Sequence, residues 1–162
     1  MNSIEEIVKQ LDLLPHPEGG FYRETYRSKG NFIPKQLEIE SERSYSTAIY
    51  FMLTKGSFSA FHRIKQDEIW HFYAGHPIKL HMISPNGHYT SQLIGINFAQ
   101  GELPQFMVPA NYWFASEVKD HYALAGCTVA PGFDFEDFDL ADRQALIKSF
   151  PDHHEIITRL TR

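Results

Sequence analysis

His62 and Glu68 are the residues whose types and spacing best suit chemistry in this chain. They lie in Gly56-Ser57-Phe58-Ser59-Ala60-Phe61-His62-Arg63-Ile64-Lys65-Gln66-Asp67-Glu68-Ile69-Trp70-His71-Phe72-Tyr73-Ala74-Gly75, which reads G-x5-H-x-I-x3-E-x6-G. Strand alternation sets Glu68, Trp70 and Phe72 on one face and Ile69, His71 and Tyr73 on the other; it groups His62 with Phe58, Ala60 and Ile64. An imidazole beside a carboxylate on an inward, aromatic-lined face titrates near neutrality and suits general-base work. The competing reading is a hydrogen-bonded core histidine. An inward carboxylate is costly unless paired, so Glu68 is expected to orient His62, bind a ligand hydroxyl or hold a weak divalent metal. Trp70, Phe72, Tyr112 and Phe114 can floor a ligand pocket or simply fill the interior. Tyr22 and Arg23, with His16 and Glu18, flank a Gly-rich turn, where they can close a pocket mouth, grip an anionic group or edge a strand.

The elements that must position these groups are mostly strands. Ile4, Ile7, Val8 and Leu11 have the spacing of one buried helical stripe, and Ser3 with Glu6 forms a capping box. Pro15, Pro17, Gly19 and Gly20 end that helix. Strand character then recurs over Phe21–Arg27, Tyr45–Leu53, Phe58–Ile64, Glu68–Tyr73, Ile78–Ile83, Tyr89–Gly95, Gln105–Val108, Tyr112–Ala115 and Tyr122–Val129, separated by turns such as Lys55-Gly56 and Ser84-Pro85-Asn86-Gly87. Residues 28–43 read as a polar loop. Short antiparallel strands at this spacing suggest a jelly roll. Asp139 is expected to cap a helix reaching about Lys148, with Leu140, Leu146 and Ile147 inward, and Pro151 to begin another ending near Leu160. The acidic run Asp134, Glu136, Asp137 and Asp139 reads as a solvated turn, and His153 and His154 as exposed.

Composition narrows the function classes. A chain of 162 residues fits one domain spanning 1–162. A net charge of −5 and no Lys/Arg run argue against nucleic acid and anionic membrane as partners. Cys127 is the lone cysteine, set in an apolar run, which fits buried packing and a reducing, cytoplasmic setting. The start Met1-Asn2-Ser3-Ile4-Glu5-Glu6 lacks a basic-then-apolar pattern, so no secretory leader is expected.

The spacing around His62 and Glu68 resembles the first cupin motif, G-x5-H-x-H-x3-E-x6-G, with Ile64 at one ligand position. Pro109-Ala110-Asn111-Tyr112-Trp113-Phe114 is similar to the P-x-G-x2-H of the second motif, with Asn111 for Gly and Phe114 for His. The resemblance implies a mainly β fold, a cupin double-stranded β-helix (jelly-roll) barrel with one N-terminal helix and one or two C-terminal helices. It also implies that only His62 and Glu68 remain of four ligand positions. Two protein ligands hold a divalent ion weakly, so no cofactor is expected unless His71 or His81 is recruited, and parity turns His71 away.

Three further runs, His16-Pro17-Glu18-Gly19-Gly20-Phe21-Tyr22-Arg23-Glu24-Thr25, Asp67 to Gly75 and Gly126-Cys127-Thr128-Val129-Ala130-Pro131-Gly132-Phe133-Asp134-Phe135, resemble the cupin_5 (DUF985) family. Its members have been likened to sugar-nucleotide epimerases of the dTDP-4-dehydrorhamnose 3,5-epimerase type. By that resemblance the barrel binds a small sugar-like or nucleotide-linked ligand and is a metal-independent epimerase or isomerase. His62 would be the base, Glu68 its orienter, Tyr112 or Tyr22 the acid, and Ile64, Trp70, Phe72, Phe114, His81, Tyr22 and Arg23 the ligand contacts. A homodimer is likewise implied. Two alternatives stay open: a non-catalytic small-ligand binding module, and a metal-dependent enzyme with a recruited extra ligand.

Overall fold

A computed structural model describes residues 3–162; Met1 and Asn2, part of the leader reading, lie outside the described residues. Helix α1 (Ile4–Gln10) precedes strands β1 (Leu14–Pro15), β2 (Phe21–Arg27), β3 (Asn31–Phe32), β4 (Arg43–Ser44), β5 (Thr47–Thr54), β6 (Phe58–Arg63) and β7 (Glu68–Gly75). There follow β8 (Ile78–Ile83), β9 (Tyr89–Ile94), β10 (Gln105–Val108), β11 (Trp113–Val118), β12 (Tyr122–Val129) and β13 (Asp139–Leu140), then α2 (Arg143–Ser149) and α3 (His154–Arg159). The strands form two facing antiparallel sheets, in the orders β1-β2-β5-β12-β7-β10 and β13-β6-β11-β8-β9, with a small β3-β4 pair beside them. This is the mainly β jelly roll that the short, turn-punctuated strands imply.

Alternation decides what each strand buries. Leu80 and Met82 of β8, Trp70 of β7, Phe114 of β11 and Cys127 of β12 fill the space between the sheets. The opposite face of the second sheet, with Phe61, Ile83 and Ala115, is covered by Leu146, Ile157 and Leu160 from the C-terminal helices. Helix α1 packs Ile7 against Met52 and Tyr122 on the outside of the first sheet. Its capping box forms: the Ser3 hydroxyl accepts from the Glu6 N–H at 3.1 Å, and the Glu6 carboxylate accepts from the Ser3 N–H at 2.9 Å. None of the described helices is long and apolar enough to cross a membrane.

Several local expectations change. Asp139 caps no helix. Its backbone pairs with Arg63 in β13–β6 and its carboxylate accepts from the Arg63 guanidinium at 2.9 Å, so the chain stays extended and Asp142 caps α2 three residues later. Leu140, expected inward, is exposed for the same reason. One residue of the acidic loop leaves the solvent, while Glu136 and Asp139 stay exposed. Asp137 is buried against Arg43, accepting from Nε at 2.8 Å and from Nη2 at 2.9 Å, with Gln66 Nε2 donating at 2.8 Å. His153 is half-buried, its Nε2 bonded to the Gly87 carbonyl.

Candidate functional site

The site begins with a turn. After β1 the chain passes through His16-Pro17-Glu18-Gly19-Gly20, with φ of +110° at Gly19 and +81° at Gly20. A Cβ on Gly19 would lie 2.1 Å from the Phe58 carbonyl oxygen, so only glycine lets this turn settle against the start of β6. The Glu18 carbonyl accepts from Ala60 N–H at 2.8 Å and from the Arg162 guanidinium, which also donates to Phe58 O at 3.0 Å. The turn thereby drives the Glu18 side chain inward, where it is 5% exposed.

Glu18 meets His62 there. His62 Nε2 stands 2.9 Å from Glu18 Oε2, and His62 Nδ1 lies 2.7 Å from the Ala60 carbonyl. A carbonyl only accepts, so Nδ1 carries a proton, and Nε2 faces a carboxylate. Burial pushes the imidazole down, but the charge and hydrogen bond of Glu18, with help from Glu68, outweigh it and hold His62 above its ordinary value. Burial pushes Glu18 up, yet the His62 charge prevails and holds Glu18 below the usual carboxylate range. The pair is therefore an imidazolium–carboxylate. The His62 ring packs on Phe114, centroids 4.1 Å apart, and stacks on Phe138 at 5.3 Å, aromatic faces that favour the cation.

Glu68 is different in kind. It is 8% exposed on the inward face of β7 and forms an ion pair with no described residue. Trp70 and Cys127 lie close by, but the Trp70 indole N–H is left without a partner. Burial pushes the Glu68 carboxyl up, the His62 charge pulls the other way, the Glu18 charge adds to the rise, and the outcome is about 7. Cys127 is buried and its thiol is driven far up by burial and by Glu68, which makes it an inert neighbour rather than a nucleophile.

These groups line a cavity of about 400 Å³. Its walls also carry His16, Tyr22, Arg23, Ile49, Ile64 and the loop residues Phe133, Asp134, Phe135 and Phe138. His16 Nδ1 accepts from the Glu18 N–H at 3.1 Å, which puts its proton on Nε2; burial holds this imidazole below its ordinary value and hence neutral. The buried Arg43–Asp137 pair anchors the loop that brings Phe138 onto His62.

Of the residues singled out in the sequence, His62, Glu68, Ile64, Tyr22 and Arg23 stand on the cavity wall. Trp70, Phe72, Tyr112 and Phe114 do not. Trp70 and Phe114 are buried in the core between the sheets, and Phe72 and Tyr112, half-buried, pack against that core, Tyr112 from the turn before β11. Tyr112 is therefore not placed to act as the acid, and Phe114 supports the His62 ring instead of a ligand. His81 is also elsewhere. It lies on the helix-covered face of the second sheet, with Nδ1 2.8 Å from the Tyr89 hydroxyl and Nε2 3.0 Å from Glu117. His71 faces outward and bonds Thr128 Oγ1 at 2.9 Å. Sequence reasoning made Glu68 the orienter of His62; the structure gives that role to Glu18. The signal for it was a carboxylate between a histidine and two glycines, a turn too tight to leave Glu18 free. The phenylalanine-rich wall at 133–138 was also missed.

The donor set does not fit a cupin metal. Both His62 ring nitrogens are engaged, Ile64 and Phe114 offer no lone pair, and no three His, Cys, Asp or Glu side chains among the described residues converge as ligands.

Known proteins share this architecture. Residues 5–141 match the family Cupin_5, described as the cupin superfamily (DUF985). The uncharacterised protein YML079W of Saccharomyces cerevisiae is 30% identical over 154 residues, 84% of this chain and 74% of that protein. The solved structure of protein SO0799 from Shewanella oneidensis superposes with a TM-score of 0.92 at 41% identity, covering 100% of this chain and 99% of that one. A hypothetical protein from Leishmania major gives 0.91 at 34% identity, covering 99% of each. Oxalate decarboxylase from Bacillus subtilis, at 15% identity and a TM-score of 0.56 over 90% of this chain and 36% of its own, shares the fold alone. With the family pattern matched from helix α1 to strand β13 and the barrel in place, this chain belongs to the DUF985 family of the cupin superfamily.

Proposed function

We propose that the barrel performs metal-independent proton transfer on a small ring-shaped carbonyl compound, as an isomerase or epimerase. Glu68 is the group that takes and returns the proton. The observation that supports this reading is a buried carboxyl in no ion pair, facing an apolar cavity beside a fixed imidazolium. A carboxyl displaced to about 7 divides between acid and base at neutral pH, which is what proton shuttling requires. His62 has both nitrogens committed and works as a fixed positive charge for the anion that forms when a proton leaves carbon. Tyr22 and the Nε2–H of His16 are the other proton-bearing groups on the wall.

The test is solvent exchange. Free keto-sugars and their nucleotide-linked forms are incubated with the protein in deuterium oxide and followed by proton NMR. Exchange at a carbon next to the carbonyl, reduced about 100-fold or more in a folded Glu68→Gln variant, supports proton transfer. The mostly apolar, aromatic wall favours a second reading, a non-catalytic binding module. Saturable binding with no exchange across the whole set would install that reading in place of the first.

A further inference from the structure

We infer, building on that reading of the site, that the cavity selects an uncharged ring and turns away ligands carrying a phosphate or carboxylate. Among the described residues, each cation of the inner wall already has a carboxylate. His62 holds Glu18 at 2.9 Å, and Arg27 holds Glu24 through two bonds of 2.8 Å while also donating to the Phe133 carbonyl. Arg23 stands at the rim, half-exposed, 3.9 Å from Asp12 and bonded to the Leu11 carbonyl. His16 is neutral. Asp134 adds a further negative charge to the wall, and Glu68 adds another whenever it releases its proton.

An anion reaching the inner cavity finds no free donor cation among the described residues. It must take His62 or Arg27 from its partner and leave that carboxylate uncompensated, Glu18 within the interior. An uncharged ring meets no such obstacle. The rings of His16, Tyr22, Phe133 and Phe138 give it stacking surface, and Glu68, buried and in no ion pair, can accept a hydrogen bond from a ligand hydroxyl or N–H.

Ligand-observed NMR with a fragment set of equal numbers of uncharged, anionic and cationic ring compounds tests this. Carbon-13 methyl shifts of Ile49 and Ile64, both on the wall, assign hits to the cavity. Adenosine against adenosine monophosphate and fructose against fructose 6-phosphate are the matched pairs. The expected result is that cavity hits are mainly uncharged, with the uncharged member of each pair that binds favoured roughly 10-fold or more. Their affinity falls several-fold in Glu68→Ala. A phosphate that binds as well as its parent, cavity hits that are mainly cationic, or no uncharged hit in the cavity overturns the inference. Uncharged binding without deuterium exchange leaves the inference standing and removes the proton-transfer reading. Exchange seen only with phosphorylated compounds does the reverse.

Discussion

At the scale of single residues, three acids and bases in one cavity have been driven to different states by their surroundings. Glu18 is paired and ionised, His62 is paired and protonated, and Glu68 is buried, unpaired and near half-titrated at neutral pH. The Glu68 displacement is also a statement about stability. Its ordinary value is 4.5 and its folded value about 7, so below about 4.5 both states hold the proton and nothing is lost. Between those values the folded protein keeps a proton that the unfolded chain releases, and stability falls as pH rises. Above about 7 the full cost is present, about 3 kcal/mol for a displacement of this size. Glu68→Gln removes it. Urea unfolding should find the variant close to the wild type at pH 4 and more stable by up to about 3 kcal/mol at pH 8. Glu18, whose lowered value gives stability that is lost in acid, is common to both proteins, so the difference reports Glu68 together with its coupling to Glu18 and His62. A gap that does not widen with pH would mean that Glu68 titrates in the folded protein as it does in the unfolded chain, ionised at neutral pH and with no role as a proton carrier.

At the scale of elements, the site depends on how one turn is docked. Two glycines at positive φ separate the requirement for space from the requirement for conformation. Gly19 has a φ of +110° and a neighbouring carbonyl oxygen 2.1 Å from where a Cβ would sit; Gly56 has a φ of +81° and nothing within 4 Å. Gly56→Ala should therefore cost only the left-handed strain, about 1 kcal/mol. Gly19→Ala should cost roughly 3 kcal/mol, since strain and collision add. It should also swing Glu18 away, so that the His62 imidazole, followed by NMR, titrates at a lower pH than in the wild type. Two alanine variants of equal stability would remove the turn from the account of the site. The same turn shows where sequence reading stops. Turn residues and alternating strands disclosed the barrel, the capping box of α1 and the inward parity of Glu68, because each depends on residues close together along the chain. The Glu18–His62 pair joins residues from two elements distant in sequence, and no local pattern encodes it. Asp139 misled for a related reason: its composition suits a cap, but pairing with β6 claimed its backbone first.

At the scale of the whole molecule, the C-terminal helices brace the strand that carries His62, although they line no part of the cavity and lie beyond the family's matched residues 5–141. Adjacent residues of β6 serve different interiors: Phe61 packs under α2 and α3, and His62 points into the cavity. Their hydrogen bonds alternate likewise. Ala60 N–H donates to the Glu18 carbonyl at 2.8 Å and Phe61 N–H to the Leu160 carbonyl at 2.9 Å, while Arg162 ties the chain's last residue back to Glu18. Latching continues at α3, where Arg159 grips Glu117, the carboxylate that also holds the buried His81. With β6 shared in this way, detaching the helices removes the Arg162 hold on the turn that carries Glu18. Ile157 is fully buried at the centre of the helix contact, so Ile157→Ala should cost about 3 kcal/mol through the cavity it leaves. Amide hydrogen exchange shows how that loss spreads. In one cooperative unit, protection falls by the same factor, on the order of 100-fold, at Phe61, at Ala60 and at Cys127 in the middle of β12 on the far sheet. A fall at Phe61 alone would make the helices a separate lid over an independently stable barrel, and Arg162 would then be a passenger rather than an anchor of the Glu18–His62 pair.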